Sequence, residues 1–231
     1  MSDVLGILGG MGPLASAEFL KTIYDQAVGD ARVEQDLPAC VLYSDPTFPD
    51  RTNALVSGAD DLLVRRLVQA LEDLHRLDVG HVVICCVTIH GLLPRAPAHL
   101  RDRVISLVDV IVEEVIQTGE VHLLLCTTGT RHAGVFQRHE RWDAVKRYIA
   151  FLDDDEQRAV HNFIYAIKRG DGEMALRAFD EFLRNHPMDR FIAGCTEIHL
   201  LTKYRLSRES EPDGYQLIDP LLIIARRLKE V

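Results

Sequence analysis

The sequence predicts an α/β fold built from two similar halves, each with parallel strands flanked by helices and with ligands expected at the carboxyl ends of the strands. Two observations support this prediction. Short apolar runs alternate with segments in which apolar residues recur at helical spacing. The second half also repeats the plan of the first, with a strand and turn at 5–12 matched at 123–130 and a C-x-x-I-H sequence at 86–90 matched at 195–199. The alternative is that α/β proteins repeat such units without duplication.

The first half of the chain predicts three strands joined by helices. A strand at 4–8 is followed by a helix at 13–28, which has Pro13 in its first turn. The other two strands of this half are predicted at 39–44 and 81–86, and an amphipathic helix is predicted between them at 59–78. Ligands of parallel sheets bind at the carboxyl ends of the strands, and the strand at 81–86 ends at the first cysteine frame.

The second half repeats the alternation. A short strand and a helix are expected within 101–119, and 121–140 places an apolar run before a Thr/Gly turn and a helix-compatible segment. Further elements are predicted as helices at 153–171, 172–186 and 217–230, a strand at 190–195 and a polar surface loop at 207–214. We therefore expect a first lobe at 1–100, completed by a C-terminal helix within 215–231, and a second lobe at 101–214.

Composition excludes several classes of protein. The chain has 231 residues and is 47% hydrophobic, which is enough to form a large α/β core. Its formal net charge of −9 and the lack of a Lys/Arg-rich run argue against nucleic-acid and anionic-membrane partners. No apolar stretch reaches the roughly 18 residues that span a bilayer, and the start of the chain lacks a basic signal-peptide region. We expect a cytoplasmic protein.

The five cysteines form no recognisable disulfide or zinc framework. They occupy positions 40, 85, 86, 126 and 195, with no C-x-x-C pair and no histidine at structural-zinc spacing. No metal site is therefore expected, and most of the cysteines should be buried thiols. Core packing is the simpler interpretation for Cys40, Cys85 and Cys126.

A turn rich in small or hydroxyl residues follows the first strand of each half. Gly9–Pro13 exposes backbone N–H groups at a helix N-terminus, which suits a carboxylate or a phosphate, unless it is only a tight connection. Thr127–Thr130 is the donor-rich equivalent in the second half. A dinucleotide site is a further alternative because Gly10–Ala15 fits G-x-G-x-x-A, although no acid is clearly placed after the second strand to bind a ribose.

Cys86 and Cys195 end predicted strands at matching positions of the two halves. A thiol facing the N-terminus of the next helix has its thiolate favoured by the helix dipole and by nearby N–H donors. Two such thiols on opposite faces of a substrate can invert a stereocentre, because one removes the Cα proton and the other delivers a proton to the opposite face. The repeated frame favours this catalytic interpretation over core packing.

Five segments together resemble the aspartate/glutamate racemase family, the cofactor-independent two-cysteine racemases. They are GILGGMGPLAS (6–16), FPDRT (48–52), CVTIH (86–90), LLLCTTGT (123–130) and AGCTEIHLL (193–201). The resemblance covers most of the chain in the expected order, and its most specific motifs are G-G-M-G-P and G-C-T-E. It implies an α/β fold of two pseudo-symmetric lobes, each a parallel sheet flanked by helices, with the active site in the cleft between them. It also implies no cofactor, a homodimer, and Cys86 and Cys195 as the proton-transfer pair.

The resemblance also implies a set of substrate-contacting residues. Arg51 would hold a substrate carboxylate, a task that its planar guanidinium suits, unless it is a surface charge. Lys168 matches a helix lysine that aspartate racemases place before the second cysteine, and its alternative is a solvated side chain. The hydroxyl groups of Thr88, Thr128 and Thr130 would donate hydrogen bonds to the α-carboxylate of the substrate. The other implied positions are Met11, Gly12, Thr52, Thr196 and Glu197.

The chain departs from the family at Val87. The family usually has Asn directly after the first cysteine, and an amide there can hydrogen-bond the substrate whereas Val87 cannot. This substrate-contacting position therefore leaves the identity of the substrate open. His90 and His199 each follow a cysteine by four residues, where they either tune the thiols or cap the following helix.

These observations predict a cofactor-independent racemase of an acidic amino acid, aspartate or glutamate, that transfers the Cα proton between Cys86 and Cys195. The expected partner is a small amino acid or dicarboxylate, with no nucleic acid and no membrane. One alternative keeps the lobes and changes the reaction to isomerisation of maleate, racemisation of hydantoins or decarboxylation of arylmalonates. Another is a ligand-binding homologue without catalytic activity.

Overall fold

The structure, a computed structural model, describes residues 3–208 and 214–228. Within these ranges the strands are β1 Leu5–Gly9, β2 Cys40–Ser44, β3 His81–Ile84, β4 Val104–Ile105, β5 His122–Leu125, β6 Ile149–Phe151, β7 Arg190–Ala193 and β8 Gln216–Ile218. The α-helices are α1 Pro13–Ala27, α2 Arg51–Ser57, α3 Asp61–Arg76, α4 Ala98–Arg101, α5 Leu107–Thr118, α6 Thr128–His132, α7 Trp142–Val145, α8 Asp154–Arg169, α9 Gly172–Arg184, α10 Ile198–Leu206 and α11 Pro220–Leu228. Short 3-10 helices lie at Glu34–Asp36 and Thr88–Arg95. None of the described helices is long and apolar enough to cross a bilayer.

The strands form two parallel sheets with the same topology. The first sheet has the order β2-β1-β3-β4, and the second has the order β6-β5-β7-β8. Ile7 in β1 pairs with Val83 in β3, and Leu124 in β5 pairs with Ile192 in β7. The matching order confirms the prediction of two similar α/β lobes, each built on a parallel sheet.

The central strands consist mainly of buried apolar residues and glycine, and His81, His122 and Arg190 stand at the first positions of β3, β5 and β7. Every residue of β1 and of β5 is buried. One apolar cluster contains a residue from each of the four central strands, namely Ile7, Val83, Leu124 and Ile192. The same cluster includes buried residues of α5 and α11. This shared core holds the two sheets against each other.

Capping side chains fix where the helices near the cleft begin. Asp50 precedes α2 and accepts a hydrogen bond from the backbone N–H of Asn53 at 2.7 Å. Thr127 precedes α6 and accepts one from the N–H of Thr130 at 3.2 Å. A capping box at Asp153 begins α8. Because α2 and α6 pack against each other across the lobes, these caps set the position of that contact.

Several short elements differ from the sequence prediction. The pattern does not predict α2, β6 or β8, because a seven-residue helix and strands of three residues are too short to show a period. The helix expected within 121–140 is limited to α6, and turns follow it. The last helix begins at Pro220 rather than at 217 because residues 216–218 pair with β7. Part of the predicted loop at 207–214 and the end of the helix predicted at 217–230 lie outside the described residues.

Sheet pairing does not follow the expected lobe boundaries at two edge strands. β4 lies after residue 100 but pairs with β3 in the first sheet, where Val104 is the partner of Val82. β8 lies after residue 214 but pairs with β7 in the second sheet. Between β8 and the end of the described chain, α11 packs against α1 and α5. Apart from β4 and β8, the predicted division of the chain into two lobes stays a prediction. It assigns 1–100 and 215–231 to the first lobe and 101–214 to the second.

Candidate active site

The two cysteines of the repeated frame lie two residues beyond the ends of β3 and β7, at the carboxyl ends of the central strands. Each therefore begins the connection to the next helix rather than ending the strand. Cys86 is 5% exposed and Cys195 is 4% exposed. The structure thus places the pair at the sheet edge where ligands of parallel α/β folds bind.

Cys195 is held as a thiol. Its Sγ donates a hydrogen bond to Oε2 of Glu197 at 2.8 Å. Burial raises the pKa of the Cys195 thiol well above its ordinary value, and the charge of Glu197 adds to the rise while Lys168 opposes it. The protonated form is the one that can deliver a proton to a carbanion.

Glu197 is a buried carboxylate paired with one cation. It is 2% exposed, and its Oε1 lies 3.4 Å from Nζ of Lys168. Burial opposes the ammonium charge, but Glu197 and Cys195 outweigh it and raise the pKa of Lys168. Gly12 lies against the same oxygen, because a Cβ built on Gly12 would be 1.9 Å from Oε1. The close approach of carboxylate and backbone explains why position 12 is glycine.

The loop after β1 brings the Met11 carbonyl to both cations. Nη2 of Arg51 donates to this oxygen at 2.6 Å, and Nζ of Lys168 donates at 3.3 Å. The loop can turn here because Gly10 has a φ of +86°, and a Cβ at that position would be 2.3 Å from the backbone of Asp45. One backbone oxygen therefore links the first lobe to α8 of the second.

Arg51 is the first residue of α2 and lies among several anionic groups. Burial opposes its charge, but Cys86, Asp50 and Glu197 together raise the pKa of the guanidinium above its ordinary value. The next residue, Thr52, packs against Gly129 in α6, where a Cβ would be 2.7 Å from the Thr52 hydroxyl oxygen. Arg51 is thus a partly buried cation whose pKa responds to the first cysteine, rather than a fully exposed surface charge.

Threonine hydroxyls connect the two strand-end loops. Oγ1 of Thr88 lies 2.8 Å from Oγ1 of Thr130, which is 3.1 Å from Oγ1 of Thr127. In the opposite direction, Thr196 donates to the carbonyl oxygen of Cys85 at 3.1 Å. The structure therefore brings Thr88, Thr130 and Thr196 to the boundary between the lobes, next to the cysteines.

Helix α8 presents a stripe of residues to the first lobe. Tyr165 donates to Oδ2 of Asp50 at 2.7 Å, one turn before Lys168. The ring of His161 packs against that of Tyr165 with centroids 4.3 Å apart and planes tilted by 31°, and it accepts a hydrogen bond from the N–H of Thr128 at 3.3 Å. Sequence reasoning missed His161, Tyr165 and Asp50. Helical spacing was the available signal for His161 and Tyr165, which lie seven and three residues before the predicted lysine, whereas no such spacing indicates Asp50.

Val87 is the one predicted site residue that the structure does not bring to the polar groups. Its side chain is 1% exposed and belongs to the apolar cluster between the sheets. Cys85 and Cys126 are buried in the same cluster, as predicted, and Cys40 packs against it half-buried. The Val87 side chain thus packs with core residues, and its contact with a substrate stays a prediction.

Neither histidine of the repeated frame bonds to a thiol. Nδ1 of His90 donates to the carbonyl oxygen of Cys86 at 2.8 Å, and Nε2 accepts from the N–H of Leu107 at 3.2 Å. Nδ1 of His199 donates to Oδ2 of Asp219 at 2.7 Å. Each histidine is thus connected to the start of α5 or α11, and neither of the two roles expected from sequence describes them.

The groups expected for a dinucleotide are engaged within the protein. The N–H of Gly10 donates to the Ser16 hydroxyl at 3.3 Å. Asp45, the acid that follows β2, pairs with Arg66 at 2.5 Å. Among the described residues, no group of three or more His, Cys, Asp or Glu side chains is arranged to hold a metal ion. The geometry offers acids, bases and cations around the two thiols.

The chain as a whole is similar to known proteins in sequence and in fold. The model of the Asp/Glu/hydantoin racemase family matches residues 8–228. The chain belongs to this racemase family. The broad specificity amino-acid racemase RacX of Bacillus subtilis (strain 168) is 23% identical over 203 residues, which is 85% of this chain and 86% of that protein.

Solved racemases share the fold. Picrophilus torridus aspartate racemase has a TM-score of 0.77 at 22% identity, with 100% of both chains covered. Glutamate racemase from Francisella tularensis subsp. tularensis SCHU S4, in complex with D-glutamate, has a TM-score of 0.63 at 17% identity, covering 98% of this chain and 79% of that one. The predicted fold and the predicted enzyme class, an isomerase of the racemase family, are confirmed.

Proposed function

We propose that this racemase interconverts the enantiomers of an acidic amino acid, aspartate or glutamate, by cofactor-independent proton transfer between Cys86 and Cys195. The observation that carries the proposal is the matched placement of two buried cysteines beyond β3 and β7, one of them held as a thiol against Glu197. The names of the relatives, an aspartate racemase and a glutamate racemase bound to D-glutamate, support an acidic substrate.

The proton transfer balances without an external reagent. The thiolate of Cys86 takes the Cα proton, and the electron pair of the broken C–H bond moves into the α-carboxylate. The S–H of Cys195 then gives its proton to the opposite face of Cα and becomes a thiolate. The enzyme begins with one thiolate and one thiol and ends with the two forms exchanged, and the reverse reaction restores them.

The cations of the site favour a substrate with two carboxylates. Arg51 and Lys168 are both partly buried and donate to the Met11 carbonyl, and Glu197 is the ion-pair partner of Lys168. Cations that are largely removed from water bind anionic partners, which a dicarboxylic amino acid supplies. The hydroxyls of Thr128 and Thr130 would donate to the α-carboxylate. A hydantoin has no carboxylate and would leave the cations without a ligand partner.

The test is chiral chromatography of the purified protein incubated without added cofactor. Each enantiomer of aspartate, glutamate, several neutral amino acids and a hydantoin is supplied separately. We expect racemisation of aspartate or glutamate, and its loss in Cys86→Ser and in Cys195→Ser. Cys40→Ser is the matched control, because Cys40 packs outside the site, and it should keep the activity. Racemisation that survives in either site variant, or that is faster with the hydantoin, would contradict the proposal.

The homodimer implied by the resemblance and the cytoplasmic location expected from composition are part of the same proposal. Sedimentation of the purified chain tests the first, and fractionation of the cells that produce it tests the second. A single species at the mass of one 26.0 kDa chain would contradict the dimer.

A further inference from the structure

Two buried histidines follow the two cysteines at the same spacing but have different partners. His90 is 6% exposed and His199 is 0% exposed. The proposed proton transfer uses neither of them. Because a buried polar ring is retained at a cost unless its nitrogens are bonded, the partners of each ring indicate its role.

The hydrogen bonds of His90 define its tautomer. A carbonyl oxygen can only accept, so Nδ1 must carry the proton that is shared with the Cys86 oxygen at 2.8 Å. The N–H of Leu107 can only donate, so Nε2 must be unprotonated to accept it at 3.2 Å. Burial lowers the pKa of His90 to about 4, against the effect of its bond to Cys86, and the ring stays neutral in ordinary assay buffers.

These bonds fix the main chain of Cys86 on both sides. Its N–H donates to the carbonyl oxygen of Ile84 at 2.7 Å, and its own carbonyl receives the His90 proton. The other end of the His90 ring is tied to Leu107, the first residue of α5. The cysteine is thereby connected to two elements that are distant in sequence from each other, β3 and α5. With the main chain fixed, the direction of the Cα–Cβ bond that carries the thiol is fixed too.

His199 holds a different part of the molecule. Its Nδ1 donates to Asp219, which in turn accepts the N–H of Leu221 at 3.0 Å in the first turn of α11. Its Nε2 shares a hydrogen bond with the Thr22 hydroxyl of α1 at 2.9 Å. The carbonyl oxygen of Cys195 accepts from the N–H of Ile198 instead. Cys195 is positioned through its sulfur by Glu197, whereas Cys86 is positioned through its backbone.

We propose that His90 is a positioning residue for Cys86, and that its Nδ1–H···O bond directs this thiol at the substrate Cα. The inference rests on the proposed racemisation. Proton transfer from carbon requires the base at near-attack distance, and a displacement of about 1 Å can slow a reaction by about 10²-fold. His90 contributes no charge and no proton to the step.

Two substitutions separate the two bonds of the ring. His90→Asn places an amide N–H near the position of Nδ1, so it retains a donor to the Cys86 carbonyl and loses the acceptor for Leu107. His90→Gln places an amide oxygen near Nε2, so it retains the acceptor and loses the donor. Each variant loses one buried hydrogen bond, and a merely structural role predicts similar effects from both. Circular dichroism and thermal unfolding verify the fold of each variant.

The first readout is the alkylation of thiols by iodoacetamide, mapped by mass spectrometry. We expect the rate at Cys86 relative to Cys195 to rise about five- to tenfold in His90→Gln, as for loss of one hydrogen bond, and to stay within about twofold of wild type in His90→Asn. His199→Gln is the matched control and should keep the wild-type ratio. Equal ratios in His90→Asn and His90→Gln would overturn the proposal.

The second readout combines exchange of the Cα proton in D2O with the primary isotope effect on racemisation, measured from each enantiomer separately. Because the equilibrium constant of racemisation is one, His90→Gln must lower kcat/KM equally from both enantiomers, and we expect a loss of about tenfold or more. Proton removal by the misplaced thiol becomes the slow step from one enantiomer only, so the isotope effect of Cα-deuterated substrate should rise for that enantiomer and fall for the other. His90→Asn should retain the wild-type rates and isotope effects. Isotope effects that change in the same way for both enantiomers would show a structural role and refute positioning. Absence of exchange in the wild type would refute the proposed racemisation, while the alkylation ratio would still decide the role of His90.

If His90→Gln does not fold, His90→Asn alone tests whether His90 positions Cys86. An alkylation ratio close to wild type, together with exchange close to wild type for both enantiomers, is the expected result. A raised Cys86 reactivity in this variant, which keeps the donor, would overturn the proposal.

Discussion

The ion pair between Lys168 and Glu197 makes a quantitative prediction about stability. Lys168→Met removes the only cation that an ion-pair distance joins to Glu197 among the described residues. The carboxylate stays 2% exposed, and its Oε1 has no hydrogen-bond partner. Loss of one member of a buried pair leaves the other charge uncompensated, which is the costly way to disrupt such a pair.

The size of the effect follows from the geometry. Two unit charges 3.4 Å apart attract by about 5 kcal/mol at an effective dielectric constant of about 20. The Lys168 side chain keeps 17% of its surface exposed, so water screens part of this energy, and we reduce the expected loss to about 3 kcal/mol. The pKa of Lys168 is raised above that of an ordinary lysine. The contribution of the ion pair to stability is therefore complete at pH values below the ordinary lysine pKa, and it is lost only at strongly alkaline pH.

The assay is a double-mutant cycle by urea denaturation at pH 7. We expect Lys168→Met to lower the free energy of unfolding by about 3 kcal/mol and Glu197→Gln to lower it by about 1 kcal/mol, because the amide can still accept from Cys195. The double variant should resemble Glu197→Gln, because no unpaired charge remains. Additive losses, with a coupling energy below about 0.5 kcal/mol, would refute the ion pair as the main partner of Glu197.

Three further predictions follow from the site. Gly12→Ala should lower kcat/KM about 10²-fold, because its Cβ would displace Glu197 from Cys195, and wild-type kinetics would contradict that contact. Burial opposes ionisation of Asp219, but the charge of His199 outweighs it and lowers the pKa, so wild-type stability should fall as pH decreases below about 4. Asp219→Asn should flatten this acid dependence of the urea midpoint. Arg51→Lys should raise KM for the acidic substrate about tenfold, and an unchanged KM would exclude a bidentate contact.

The central strands were predictable because burial on both faces leaves a continuous apolar run. β1, β3, β5 and β7 all show this signal, and the repeated plan is consistent with the same topology in both sheets. The edge strands β6 and β8 have three residues each, and pairing with a neighbour rather than an internal pattern makes them strands. The predicted lobe boundary differs from the sheet pairing at β4 and β8, because the order of elements along the chain does not reveal which sheet an edge strand joins.

Part of the site was predictable from motifs, and part depends on contacts between distant segments. The repeated frame located Cys86 and Cys195, and the resemblance located Arg51 and Lys168 near them. The bond between Tyr165 and Asp50 joins residues 115 positions apart, and no local spacing encodes it.

Val87, the residue next to the first cysteine, shows a second limit of prediction from sequence. The family pattern marked Val87 as a substrate contact, but an apolar side chain at that position packs into the core between the sheets. The roles of His90 and His199 were also hidden, because each depends on the start of a helix that follows much later in the chain.

Racemisation of a single enantiomer in D2O, without added cofactor, tests the two-base account most directly. L-aspartate or L-glutamate is the starting material, and early time points are analysed by NMR and chiral chromatography. Two thiols predict that the D-product carries deuterium at Cα while the remaining L-substrate keeps its proton, because different groups remove and deliver the proton. Deuterium appearing in the residual substrate as fast as in the product would indicate one base, and no change at Cα with either acid would contradict the proposed activity itself.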